Sequence, residues 1–200
     1  MFFRKGHHSP QMLPLEFNGL SIQPSPIVKL LGVTIDDKLS GAAHVKEMLK
    51  RLAASTHATR LLKNVLGASS CPLLYNSFFL SHVTYGAEYW TVCTEEWLQR
   101  LQVAQNRFLR MFRGSASIER LAHGILPIHA LVRYLILLIV FKNLYKVGPQ
   151  VLSFEQLGNA RNTRATGNVI LRVRSHKSRH CSLAFGARAV REWNLLPADL

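Results

Sequence analysis

Apolar and polar residues alternate over Leu15-Glu16-Phe17 and again over Leu20-Ser21-Ile22, with Asn18-Gly19 between them. This pattern predicts two strands joined by a two-residue hairpin, because Asn and Gly accept the left-handed backbone that such a turn needs. Pro24 and Pro26 then interrupt the chain, and one strand is expected over Ile27–Ile35, broken at Gly32. Beyond it the period changes. Val45, Met48, Leu49, Leu52, Thr56, Thr59, Leu62 and Leu66 recur at helical spacing and predict a helix from His44 to Leu66, with Gly67 as its C-terminal cap. Lys46, Lys50, His57, Arg60 and Asn64 fall on a neighbouring arc, and Lys63 stands where the early apolar stripe would continue. Pro72 opens a second helical segment to about His82, followed by an aromatic patch at Tyr85, Tyr89 and Trp90.

Thr94 is the expected N-cap of a third helix, with Glu95 and Glu96 in the first turn, where the helix dipole favours anions. On it Trp97, Leu101, Ala104, Phe108 and Phe112 form one arc, and Gln99, Arg100, Asn106, Arg107, Arg110 and Arg113 form the opposite one. A short helix is predicted from Ser117 to about Gly124. A longer one follows from Pro127 to about Tyr145, apolar nearly all round and therefore expected in the core. Asn159–Gly167 reads as a loop, Asn168–Arg174 as an edge strand, and Ser182–Trp193 as a last helix. The fold class is thus mainly α: a small N-terminal β-hairpin and strand (residues 1–43), a helical bundle (44–113), a buried helical segment (114–150) and a basic C-terminal strand–helix segment (151–200).

Charge narrows the function. The 200 residues are 48% hydrophobic, enough for a real core, and carry a net charge of +14. The excess is concentrated: residues 156–191 hold eight Lys or Arg and no acidic residue. Such an excess calls for a polyanionic partner, nucleic acid or anionic lipid, against the blander reading of a merely soluble basic protein. Cys71, Cys93 and Cys181 are far apart, with no Cys-x-x-Cys and no zinc-finger spacing, so a reducing, intracellular setting and no metal site are expected. No membrane span is expected either. The unbroken apolar run Tyr134–Phe141 is only eight residues long and is flanked by Arg133 and Lys142, whereas spanning takes roughly 20 residues.

The pair Asp36-Asp37, closing an apolar strand, raises the question of two-metal phosphoryl transfer. That chemistry needs carboxylates converging from separate strands. Asp36, Asp37 and Asp199 are the only Asp residues, and Glu16 is the only acid before them. The pair is therefore expected to serve a strand-to-helix turn, where Asp side chains accept from exposed N–H groups. There is no Gly-x-Ser-x-Gly elbow, phosphate loop or metalloprotease His spacing, so no catalytic residue and no cofactor are expected.

Four stretches, in order, resemble the post-palm region of non-LTR (LINE-type) retrotransposon reverse transcriptases. They are Pro24-Ser25-Pro26 through Lys29, Leu31-Gly32-Val33-Thr34-Ile35-Asp36; Leu74-Tyr75 through Thr84-Tyr85-Gly86 and Trp90; Leu101-Gln102, Gln105-Asn106-Arg107 and Leu109-Arg110; and Phe185 through Trp193-Asn194 to Leu196-Pro197. Together they cover nearly the whole chain. His44 matches a family His, whereas Gly41 stands where the family usually has Trp, a departure expected to loosen packing there. The resemblance implies a primer grip at Lys29, Leu31 and Gly32 and a thumb-like bundle. Lys46, Lys50 and Arg60 on the first helix, and Arg107 and Arg110 on the third, are then expected to touch phosphates. The implied partner is nucleic acid, RNA or an RNA–DNA hybrid, with association with an intact polymerase in trans as a further expectation. Since the palm with its Tyr/Phe-x-Asp-Asp is not in the chain, the expected identity is a 5′-truncated, non-enzymatic fragment. An inert remnant of a transposable element and a basic interaction module are the alternatives.

Overall fold

The computed structural model of the chain describes residues 14–147, 154–156, 170–172 and 185–197. The chain divides into two compact units, residues 1–128 and 129–200.

The first unit opens with two hairpins. Strands β1 (Leu15–Phe17) and β2 (Leu20–Ile22) pair antiparallel, Leu15 opposite Ile22, about the expected Asn18-Gly19 turn. The strand expected over Ile27–Ile35 is instead a second hairpin: β3 (Ile27–Leu30) and β4 (Val33–Asp36) pair antiparallel, with Ile27 opposite Asp36. The reason is the backbone at Leu31 and Gly32. Both have positive φ, 47° and 83°, the pattern that lets a two-residue turn follow the twist of its strands. Gly32 adopts it freely, whereas Leu31 carries the steric cost of a side chain there.

Helix α1 (Ala42–Leu66) follows, two residues earlier at its start than the periodicity suggests. Its start is organised by Asp36, which is buried. One carboxylate oxygen accepts from the N–H groups of Lys38 (3.1 Å) and Ser40 (2.9 Å). The other accepts from Gly41 N–H (3.1 Å), Ser40 Oγ (3.2 Å) and the Tyr89 hydroxyl (2.9 Å), and Tyr89 Oη in turn accepts from Asp36 N–H at 3.0 Å. Asp36 thus fills the strand-to-helix role expected of it. Burial and the neighbouring Asp36 push the Tyr89 phenol up to about 12, so it donates throughout the physiological range. Gly41, at φ 72°, does not loosen this corner. A Cβ there would stand 3.0 Å from Trp90 Cα and 3.2 Å from its carbonyl oxygen, so the absence of a side chain is what lets the start of α1 close on Trp90.

After a 3₁₀ turn at Ala68–Ser70, the expected second helix is one helical run with a π-type interior. It comprises α2 (Cys71–Tyr75), five π-helical residues (Asn76–Leu80) and α3 (Ser81–Thr84). Short α4 (Ala87–Trp90), α5 (Glu95–Arg113) and α6 (Ala116–His123) complete the unit. Thr94 occupies the N-cap of α5 but makes no side-chain cap bond, whereas Ser115 caps α6 by accepting from Ile118 N–H. The core joins Val45, Met48 and Leu52 of α1 to Leu74, Tyr75, Phe79 and Trp90, and to Leu98, Leu101, Phe108 and Leu109 of α5. Tyr75 stacks on Phe79 with ring centroids 5.2 Å apart, and Phe79 meets Phe108 at 5.6 Å. Leu62 and Leu66, expected on the apolar stripe of α1, are exposed, so burial on this helix ends near Thr59.

In the second unit, α7 (Ile128–Leu144, its first residue belonging to the first unit) buries Leu131, Val132, Leu135, Ile136 and Val140, but Tyr134 and Phe141 are exposed. The helix therefore has a solvent face despite its composition. The stretch Ala116–Leu144 is apolar and long enough to cross a membrane by length and composition, although residues 124–127 divide it into two helices. The last helix, α8 (Phe185–Asn194), ion-pairs with α7 through Glu192 and Arg133 at 3.2 Å. Asn194 bonds both backbone groups of Leu171, donating at 2.8 Å and accepting at 3.0 Å, while Leu171 bridges Gln156. The loop expected over Asn159–Gly167, and most of the strand expected over Asn168–Arg174, lie outside the described residues.

Two outcomes are expected. Asp36→Asn keeps the shape but turns an NH₂ toward backbone donors, and should cost about 2–4 kcal/mol in urea melts. His44 is buried, and its Nδ1 accepts from Thr34 N–H at 3.2 Å. Burial first, and then Arg51, hold its pKa below the ordinary 6.5. The unfolded chain therefore takes up a proton that the folded chain resists, and stability declines as pH falls through 6.5 toward the folded value. Melts at about pH 7.5 and about pH 5.5 should show this loss, and His44→Asn, which keeps an acceptor without titrating, should shrink it.

Candidate nucleic-acid interface

Helix α5 places Arg100, Arg107 and Arg110 on one face, because residues three and seven apart return to the same side of a helix. Helix α1 does the same with His57, Arg60 and Lys63. The two helices pack together, and a groove runs along their junction. One stretch, of about 280 Å³, is floored by Leu49, Leu52, Thr56 and Ala104 and edged by His57, Arg60, Arg100 and Arg107. The adjoining stretch, of about 380 Å³, is lined by Arg60, Lys63, Arg107, Arg110 and Met111, with no acidic residue among them.

The cations differ in how far they are committed. Lys63 Nζ donates to the carbonyl of Met111 in the last turn of α5, an end of the helix where carbonyls lack partners and cations are favoured. Arg100 is held by Glu96 at 2.6 Å and lies 4.6 Å over the Trp97 ring, so part of its charge is answered within the fold. Arg60, Arg107 and Arg110 are exposed at the groove. In this geometry the groove can accept closely spaced anionic oxygens through guanidinium forks, and its apolar floor offers nothing that reads base edges.

Of the eight residues expected at the site, the fold brings Arg60, Arg107 and Arg110 together. Lys50 and Lys46 stand roughly 15 and 20 Å back along α1 from Arg60. Both are exposed, and Lys50 is ion-paired with Glu47 at 3.2 Å. Lys29, Leu31 and Gly32 lie on the β3–β4 hairpin and line neither stretch of the groove. Leu31 sits at the turn with 84% of its surface exposed, and its carbonyl accepts from the Tyr85 hydroxyl. Gly32 lies under the same ring, where a Cβ would meet Tyr85 at 3.4 Å. Periodicity missed Lys63, because it fell where an apolar residue was due; a cation at the end of a fading stripe was the available signal.

The amides around Arg107 do different work. Gln105, fully buried, donates at 2.8 Å to both the Tyr75 hydroxyl and the Leu126 carbonyl. Gln102 accepts from Ile128 N–H at 2.8 Å and donates to Gln105 and to Asn106. Asn106 also accepts from Arg120 at 2.5 Å. This cluster ties α5 to α2 and to the chain after α6. The Gln-x-x-Gln-Asn-Arg pattern is therefore a buried clasp followed by an exposed cation.

A curated protein of Drosophila melanogaster, "Probable RNA-directed DNA polymerase from transposon BS", is 27% identical to this chain over 105 residues. The match covers 51% of the chain and 12% of that protein, so the chain spans a small part of its relative. This similarity supports a region related to a retrotransposon reverse transcriptase. No protein-family model and no solved structure matches the chain.

The division between clasp and cation is measurable by urea denaturation. Gln105→Ala should lose about 2 kcal/mol or more by orphaning the buried Tyr75 hydroxyl and Leu126 carbonyl, whereas Arg107→Ala should stay within about 0.5 kcal/mol of the parent.

Proposed function

We propose that the chain is the primer-grip, thumb and following region of a non-LTR reverse-transcriptase-like protein. On this reading it holds a nucleic-acid backbone in the α1–α5 groove, without reading sequence and without carrying out polymerisation itself. The observation that carries the proposal is the convergence of Arg60, Lys63, Arg107 and Arg110 on one acid-free groove. Two further observations support it. The relative's name is that of an RNA-directed DNA polymerase, and the 25 residues of α1 extend for roughly 37 Å, about eleven backbone steps of a duplex. Lys46 and Lys50 would then continue the phosphate track along α1, toward the hairpin with Lys29 and the exposed Leu31. Asp36 supports the non-catalytic part of the reading, since both its oxygens are engaged by backbone and hydroxyl donors.

Fluorescence anisotropy with a labelled RNA–DNA hybrid tests the proposal. Binding should be similar for unrelated sequences and should weaken steeply with salt. Replacing Arg60, Arg107 and Arg110 together by Ala should lower affinity by about tenfold or more at ~0.1 M salt and reduce the salt slope by roughly two to three. Lack of binding by micromolar protein in low salt, or a folded triple variant that binds as well as the parent, would overturn it. Binding to anionic vesicles without binding to the hybrid would identify a membrane-directed basic module instead.

A further inference from the structure

Away from the groove, the first unit brings together three side chains that are scattered in the sequence. Cys71 is the first residue of α2, and Glu119 and His123 stand one turn apart on α6. The Cys71 Sγ, a Glu119 carboxylate oxygen and a His123 ring nitrogen all lie within 4.8 Å of one another. Cys71 and Glu119 have no solvent exposure, and the His123 side chain has 18%. His123 Nε2 has no solvent access and lies 3.3 Å from a Glu119 oxygen, within ion-pair distance but without hydrogen-bond geometry. The nitrogen is thus buried within the cluster.

We infer that Cys71, Glu119 and His123 form a binding site for one thiophilic divalent cation, zinc above all. Sulfur, imidazole nitrogen and carboxylate oxygen are the donors zinc selects, at about 2.3, 2.0 and 2.1 Å. Three donors already within 4.8 Å need to close by only about one ångström to meet around one ion. Charge points the same way. Binding would release the Cys71 proton, and the dication would balance the resulting thiolate and the carboxylate together, with the His123 imidazole as third ligand. Its Glu-x-x-x-His spacing puts two ligands on one face of α6, as two-ligand helices require. The ion would tie α2 to α6, which are separated in sequence by α3, α4 and α5, so binding and folding are coupled.

Cobalt(II) and zinc(II) titration of the untagged full-length chain tests this. The parent should take up one cobalt per chain with a thiolate-to-metal charge-transfer band, zinc should displace it, and zinc should raise the melting temperature. Cys71→Ser should abolish the charge-transfer band, and His123→Ala should weaken binding by about 100-fold. A parent that remains helical by circular dichroism yet takes up no stoichiometric cobalt would overturn the site, leaving a metal-free Glu119–His123 ion pair. Metal uptake unchanged in both variants would also overturn it, placing the ion on histidines elsewhere.

Discussion

The arrangement of the first unit depends on the carboxylate of Asp36. A buried anion is tolerated only when its oxygens are met by donors, and here the donors come from three places: the turn after β4, the residue before α1, and α4. One side chain therefore sets where the hairpin ends, where α1 begins and how α4 approaches both. Gly41 completes the corner, because its missing Cβ is the space occupied by the backbone of Trp90. The direction of α1 follows from this corner, and with it the position of Arg60 and Lys63 beside α5, some 25 residues downstream.

Much of the fold was legible in the sequence because it rests on local rules. The Asn18-Gly19 turn, the long apolar stripe of α1, the acidic first turn of α5 and the Gly caps each act within a few residues. The misreadings share another cause. Leu31 in a left-handed turn is not a local preference; it is sustained by Tyr85, 54 residues away, which holds the Leu31 carbonyl. The exposure of Leu62 and Leu66 reflects where α5 ends, which periodicity along α1 does not encode. At the site, Arg60, Arg107 and Arg110 were legible as arcs on separate helices, but their convergence was a tertiary fact. The Cys71–Glu119–His123 cluster was hidden for the same reason, whereas Lys63 was passed over because it stands in the apolar stripe of α1.

The motifs that carry the resemblance also divide by physical role. Tyr85 and Gly86, with Tyr89 beside the motif, seat the β3–β4 hairpin: Gly86 admits Val33, whose Cγ2 would lie 3.1 Å from a Cβ at that position, and the two tyrosines hold Leu31 and Asp36. Gln102, Gln105 and Asn106 fasten α5, and Asn194 fastens the backbone of Leu171. Nearly all of the recognisable pattern is thus scaffold. The cations that would meet a ligand are interleaved with it on exposed positions, where the fold itself asks little of the residue type.

The hydroxyl contacts of Tyr85 and Tyr89 bear on the order in which the chain assembles. They link residues 54 and 53 positions apart, so each forms only after a long loop has closed, as does the packing of α1 on α5. The β3–β4 hairpin is seated by these bonds, by Thr34 N–H on His44 Nδ1 and by β4 against α1, outside the aromatic core around Phe79 and Phe108. Strand β3 is exposed along its whole length, so amide hydrogen exchange there should register local opening below the free energy of global melting.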